Sequence, residues 1–118
     1  MNALLVALGG ALGAVLRYGT GLALPRPDAT AFPWATLGVN LAGSLAIGLL
    51  APVLARHDAA RLLLITGVLG GFTTFSAFSL DALTLVQAGR PGLAALYIAG
   101  SVLGGLALCA LGWRIVVG

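Results

Sequence analysis

Between Gly70 and Asp81 the chain reads GGFTTFSAFSLD, which places hydroxyls, phenyl rings and glycines inside a run otherwise apolar enough to cross a membrane. Phe75 and Phe78 are spaced to share one helix face. The rim of a phenyl ring carries a weak positive potential, so ring edges together with hydroxyl and amide donors can hold a small desolvated anion. Taken alone, the two rings read more plainly as lipid-facing or core aromatics. Thr73, Ser76, Ser79 and Ser101 supply hydroxyls, and Asn40, in the stretch TLGVNLAGS, supplies two N–H donors. Tyr97 stands one helical turn from Ser101 and extends that polar track. Polar groups at bilayer depth are costly enough to mark function, yet Asn and Ser also serve as hydrogen-bonding glue between helices. For Asn40 the two readings weigh equally.

Two charges lie close enough to these residues to matter. Arg17, well along the first apolar run, either snorkels to the interface as an anchor or draws anions into a vestibule. Asp81 is the only carboxylate near a span and either pairs with an arginine or faces a vestibule. Asp28 and Asp58 fall in loops. An enzyme is not expected: His57 is the only histidine, so no His pair is available for a metal, and no nucleophile, base and orienter share a depth. The lone Cys109 sits in the last apolar run, permits no intramolecular disulfide and reads as a small buried hydrophobe.

The elements that position these residues follow from composition. Of 118 residues, 60% are hydrophobic and 8% charged, with a mean hydropathy of +1.11, which leaves too little polar surface to cover a water-soluble fold. A spanning helix needs about 20 mostly apolar residues, and the sequence holds four such runs. They define an all-α membrane protein, residues 1–118 forming a single four-helix transmembrane domain. The first span runs from Asn2 to Leu24, closed by Pro25; the second from Phe32 or Pro33 to Ala55, with Trp34 as an interfacial anchor. The third runs from near Arg61 to Gln87, and the fourth from Leu93 to Val117 after a turn at Gly89, Arg90 and Pro91. Gly9 with Gly13, and Gly100 with Gly104, have the spacing that lets helix backbones approach closely. The first span is too long for a signal-peptide core and has no basic segment before it, so it is expected to stay in the membrane. The net charge of +3 comes from scattered arginines, which argues against a nucleic-acid surface. The glycine-rich run GGALGAVLRY has neither the preceding strand nor the spacing of a nucleotide loop.

Gly67, Gly70 and Gly71, followed by Thr73 and Thr74, are poor helix formers in close succession. From spacing alone, a continuous helix with a glycine packing face is the stronger reading; the other is a break in the third span with carbonyls aimed inward, a geometry that can coordinate a monovalent cation. The arginines give hardly any orientation bias. One side carries Arg56, Arg61 and Arg114, the other Arg26 and Arg90, joined by Arg17 if it reaches that way. Such a chain can insert both ways up and pair two opposed copies.

Together GGALGAVLRY, TLGVNLAGS and GGFTTFSAFSLD resemble the Fluc (CrcB) family of small bacterial fluoride channels, a likeness that covers essentially the whole chain and is most specific in the third span. The resemblance implies a broken third span, an antiparallel dual-topology homodimer in the bacterial cytoplasmic (inner) membrane, and passive fluoride export. It implies a structural sodium ion at the dimer interface, held by main-chain carbonyls of Gly70 and Thr73. Phe75, Phe78 and Asn40 match the family's pore residues, Ser76 and Ser101 its hydroxyl track with Tyr97 nearby, and Arg17 and Asp81 its vestibule. No nucleotide or nucleic acid is implied; lipid surrounds the protein. Ala77 stands where the family commonly has a hydroxyl residue, and Asp81 where glutamate is usual. The rival readings are a small multidrug-type exporter, which needs an ionisable carboxylate within the membrane, and a structural membrane subunit without ion flux.

Overall fold

A chain this apolar meets its backbone hydrogen-bonding needs in lipid by folding into helices. The computed structural model describes every residue from Met1 to Gly118, and all its regular structure is helical. α1 (Asn2–Ala23) and α2 (Trp34–Val53) form the first two spans. The third is composite: the single turn α3 (Asp58–Ala60), a π-helix over Arg61–Leu69, the single turn α4 (Gly70–Phe72), a break at Thr73 and Thr74, then α5 (Phe75–Gln87). α6 (Pro91–Val117) is the fourth. Each of the four stretches Asn2–Ala23, Trp34–Val53, Asp58–Gln87 and Pro91–Val117 is long and apolar enough to cross a membrane.

The span ends differ from expectation by a turn or less, for local reasons. α6 starts at Pro91 rather than Leu93, because proline is preorganised for the first helical position and lacks the N–H that would be orphaned there. Gly89 takes φ of 76° in the turn before it. The third span starts at Asp58 rather than Arg61, placing a carboxylate in the first turn where the helix dipole favours it. In the first loop Asp28 accepts from both the hydroxyl and the amide of Thr30, and these bonds hold its carboxyl below the usual carboxylate range.

Two pairings build the bundle, α1 against the π-helical stretch and α2 against α6. The first depends on glycine. A methyl group added to Gly9 would land on the Leu63 carbonyl and the Gly67 backbone, and one on Gly13 would meet the Val68 carbonyl and the Phe72 amide. Gly71 lies against the Gly10 backbone in the same way. The second pairing corrects the expected packing face of the last span. Gly100 faces open space and Gly104 meets only the Leu41 side chain, whereas Gly112 lies on the Leu45 carbonyl and Gly48 on the Cys109 carbonyl. Gly105 and Gly112 are two turns apart and share the face turned to α2. Side chains such as Leu8, Leu12, Val15, Leu103 and Leu106 remain exposed on the outside, as lipid-facing residues should.

The third span resolves the choice between a glycine packing face and a break by containing both. Gly67 and Gly71 pack against α1, and Gly70 is helical. The chain leaves the helix after the glycines, where Thr73 (φ −83°, ψ 154°) and Thr74 (φ −149°, ψ 120°) are extended. β-branched residues suit that geometry, so the threonines form the break and the glycines bring it close to α1.

Candidate functional site

A break at mid-span frees backbone groups that lipid cannot satisfy, and side chains from two other helices meet that need. The Thr74 N–H donates to Asn40 Oδ1 (2.9 Å), and Asn40 Nδ2 donates back to the Thr74 carbonyl (3.1 Å). Only one orientation of the amide meets both groups, so the hydrogen-bond pattern fixes it. Asn40 is therefore a clamp on the break, and its second Nδ2 hydrogen remains for another acceptor. Arg17 Nε donates to the Gly71 carbonyl (3.1 Å), placing a cation at the C-terminal end of a helix segment, where the dipole favours it. That puts Arg17 on the broken backbone. Thr74 caps α5 through its hydroxyl, which accepts the Ala77 N–H (3.2 Å).

These bonds divert two donors. In a continuous helix the Thr74 N–H would close on the Gly70 carbonyl and the Ala77 N–H on the Thr73 carbonyl. Here the first goes to Asn40 and the second to the Thr74 hydroxyl. The carbonyls of Gly70 and Thr73 are thereby released, beside that of Phe72 and that of Gly71, which Arg17 takes.

Beside the break lies an open cavity of about 370 Å³. It brings together Asn40, Phe75, Phe78 and Ser101, with Gly70 and Thr73 also in its lining. The ring centroids of Phe75 and Phe78 are 5.6 Å apart, tilted by 43°. Ser101 Oγ is buried without a hydrogen-bond partner, an unusual state for a hydroxyl away from water. Phe75 is 78% exposed on the open side.

Ser76, Ser79, Asp81 and Tyr97 stand apart from this cavity. Ser76 is exposed, its hydroxyl 3.3 Å from that of Thr74. Tyr97 is fully buried behind Phe78, their ring centroids 5.2 Å apart, and belongs to a small core with Leu85 and Ala94. Its hydroxyl donates to Asp81 Oδ2 (3.3 Å). Of the two alternatives for Asp81, the structure selects pairing with an arginine: Oδ1 takes a 2.8 Å bond from Arg26. Ser79 returns its hydroxyl to the Phe75 carbonyl.

Two contributors escaped the sequence reading of the site. Ser44 lines the cavity one turn beyond Asn40, and its position within TLGVNLAGS at helical spacing was the available signal. Arg26 offered none, since the loop between two prolines in which it lies says nothing about a partner 55 positions away.

Chemically, the cavity is lined by residues with hydrogen-bond donors and phenyl rings, which suit something small and negative, and by residues with released carbonyls, which suit something small and positive. No three His, Cys, Asp or Glu side chains converge anywhere in the chain. Comparison with known proteins gives the arrangement its context. The family model described as CrcB-like protein, Camphor Resistance (CrcB), matches residues 4–113. A protein of Novosphingobium aromaticivorans named Fluoride-specific ion channel FluC is 53% identical, the match covering 96% of this chain and 94% of that protein. Proteins with the same name from Rhizobium etli (53% identical, 94% and 90% covered) and Hyphomonas neptunium (54% identical, 92% and 90% covered) are similarly related.

Proposed function

The chain belongs to the CrcB-like family, and from that premise we propose that it is a fluoride-specific ion channel that lets the anion leave the cytoplasm passively across the bacterial inner membrane. The observation that carries the reading is the buried, unpartnered Ser101 hydroxyl in one cavity with the Phe75 and Phe78 rings. Fluoride is small and strongly hydrated, so bringing it to mid-membrane costs a large desolvation penalty. The path must replace that water with donors weak enough to release the ion again. A lone hydroxyl, the spare N–H of Asn40 and two ring edges meet both requirements.

Ser101 gives this reading a distinctive test. Removing a buried hydroxyl that has no partner should stabilise the protein by about 1 kcal/mol. Removing a donor to the permeant ion should lower fluoride flux about tenfold. Ser101→Ala is therefore expected to melt higher and conduct less, measured by thermal unfolding in detergent and by fluoride release from liposomes. Higher stability with unchanged flux would take Ser101 off the path.

The exposed Phe75 ring and the open side of the cavity support a homodimer in which a second copy closes the path, and the balanced arginines support an antiparallel, dual-topology arrangement. The released carbonyls of Gly70 and Thr73 are hard oxygen ligands of the kind that suits sodium, two from each copy. A sodium ion there would supply fixed positive charge between the two breaks, while Asn40 keeps the Gly70 carbonyl, and the Thr74 hydroxyl the Thr73 carbonyl, free of their helical donors.

The primary experiment is fluoride efflux from liposomes containing purified protein, read with a fluoride electrode beside a parallel chloride assay. Rapid fluoride release with negligible chloride release is expected; none from folded protein would sink the channel reading. In the same assay Phe75→Ile and Phe78→Ile should each lower fluoride flux about tenfold or more by removing a ring edge, with assembly intact by size-exclusion chromatography. Unchanged flux in both would count against a ring-edge path.

A further inference from the structure

The ion pair between Arg26 and Asp81 is linked to the cavity wall through Tyr97 and Phe78. Arg26 reaches Asp81 from the loop after α1, and their side chains are only 24% and 13% exposed. One terminal nitrogen of Arg26 holds Asp81 Oδ1, and the other donates to the carbonyls of Ala29 (2.7 Å) and Ala31 (2.9 Å). The remaining nitrogen, Nε, is buried without a partner. Asp81 Oδ2 accepts from Tyr97, whose ring lies against Phe78 of the cavity. A continuous line therefore runs from the loop to the cavity wall: Arg26, Asp81, Tyr97, Phe78.

Asp81 is the only carboxylate within the spans' polar track. Unpaired, it would repel an anion and gain nothing from the low dielectric around it. Resting on the reading of the chain as a fluoride channel, we propose that Arg26 is a positioning residue for conduction: its charge cancels that of Asp81 at the mouth of the path and holds the carboxylate so that its second oxygen orients Tyr97 behind Phe78. The pairing is a single bond to Oδ1, held in place because the contacts to Ala29 and Ala31 fix the guanidinium and Tyr97 holds the other carboxylate oxygen. One guanidinium against one carboxylate leaves the pair without net negative charge toward an approaching anion.

Unitary fluoride current in planar bilayers tests this, because the current through one open channel is insensitive to how much protein folds. Arg26→Gln is expected to lower it about tenfold by exposing the Asp81 charge, whereas Arg26→Lys, which keeps the charge but not the planar fork, should stay within about twofold of the unaltered protein. Adding Arg26→Gln to Asp81→Asn should cause no further fall beyond that of Asp81→Asn alone. Wild-type current from Arg26→Gln would overturn the proposal. So would Arg26→Lys conducting as poorly as Arg26→Gln, since that pattern means Arg26 matters only for pinning the loop through Ala29 and Ala31. If Arg26→Gln does not assemble, the charge-free pair decides: a current below that of Asp81→Asn alone overturns the proposal. Absence of fluoride current from the unaltered protein removes the channel reading itself and is recognised before any variant is compared.

Discussion

Gly13→Val is expected to prevent stable assembly. The added side chain would sit on the Val68 carbonyl and the Phe72 amide, which are backbone atoms that no rotamer change can move aside. α1 must then withdraw from the third span, at a cost of about 3 kcal/mol or more. Arg17 would leave with it and abandon the Gly71 carbonyl at the break. Gly100→Val makes the matched control, because Gly100 has the same residue type and a similar spacing motif but faces open space. Its effect should stay within about 0.5 kcal/mol. Thermal unfolding in detergent with size-exclusion chromatography compares the two, and equal stability would contradict the close contact between α1 and the third span.

Asn40→Ala should cost both stability and conduction. It strands the N–H and the carbonyl of Thr74 at mid-membrane, each lost partner costing about 1–3 kcal/mol. The break would then be driven toward a continuous helix, with the Thr74 N–H returning to the Gly70 carbonyl. Fluoride flux should fall about a hundredfold or more as the path loses both its amide donor and the backbone geometry beside Phe75. Asn40→Asp separates the two halves of the clamp: it keeps the acceptor for the Thr74 N–H but sets a carboxylate oxygen against the Thr74 carbonyl, so it should rescue little. Liposome flux and thermal unfolding measured together decide the role. Lost flux at unchanged stability would make Asn40 a path residue only, and unchanged values of both would remove the clamp.

Much of the architecture was legible because lipid simplifies the problem. Four apolar runs of spanning length admit few structures other than four helices, and loop residues such as Pro25, Arg56 and Gly89 mark where those helices stop. Asn40, Phe75, Phe78 and Ser101 could be singled out because polar or ring-edge chemistry at depth is conspicuous against an apolar background, and the structure brings all four to one cavity. The site's internal order was less legible. Spacing favoured glycines as a packing face over a break, and the competition disappeared only when the two functions fell on neighbouring residues: Gly67 and Gly71 pack, while Thr73 and Thr74 extend. The face of the last span was misread because Gly100, Gly104, Gly105 and Gly112 offer more than one plausible stripe. Which stripe meets α2 depends on the rotation of α6, and no local pattern encodes that rotation.

The sequence by itself determined the number of spans, the depth of the polar residues and the kinds of donor and acceptor available, because these depend on hydropathy, helical periodicity and side-chain chemistry. Tertiary structure decided who meets whom. Asn40 reaches Thr74 across 34 positions, Arg17 reaches Gly71 across 54, and Arg26 reaches Asp81 across 55. A hydrogen bond is made or lost within a few tenths of an ångström, a precision set by how closely glycine lets α1 approach the third span and by where the threonines turn the chain, and neither distance is written in residue type.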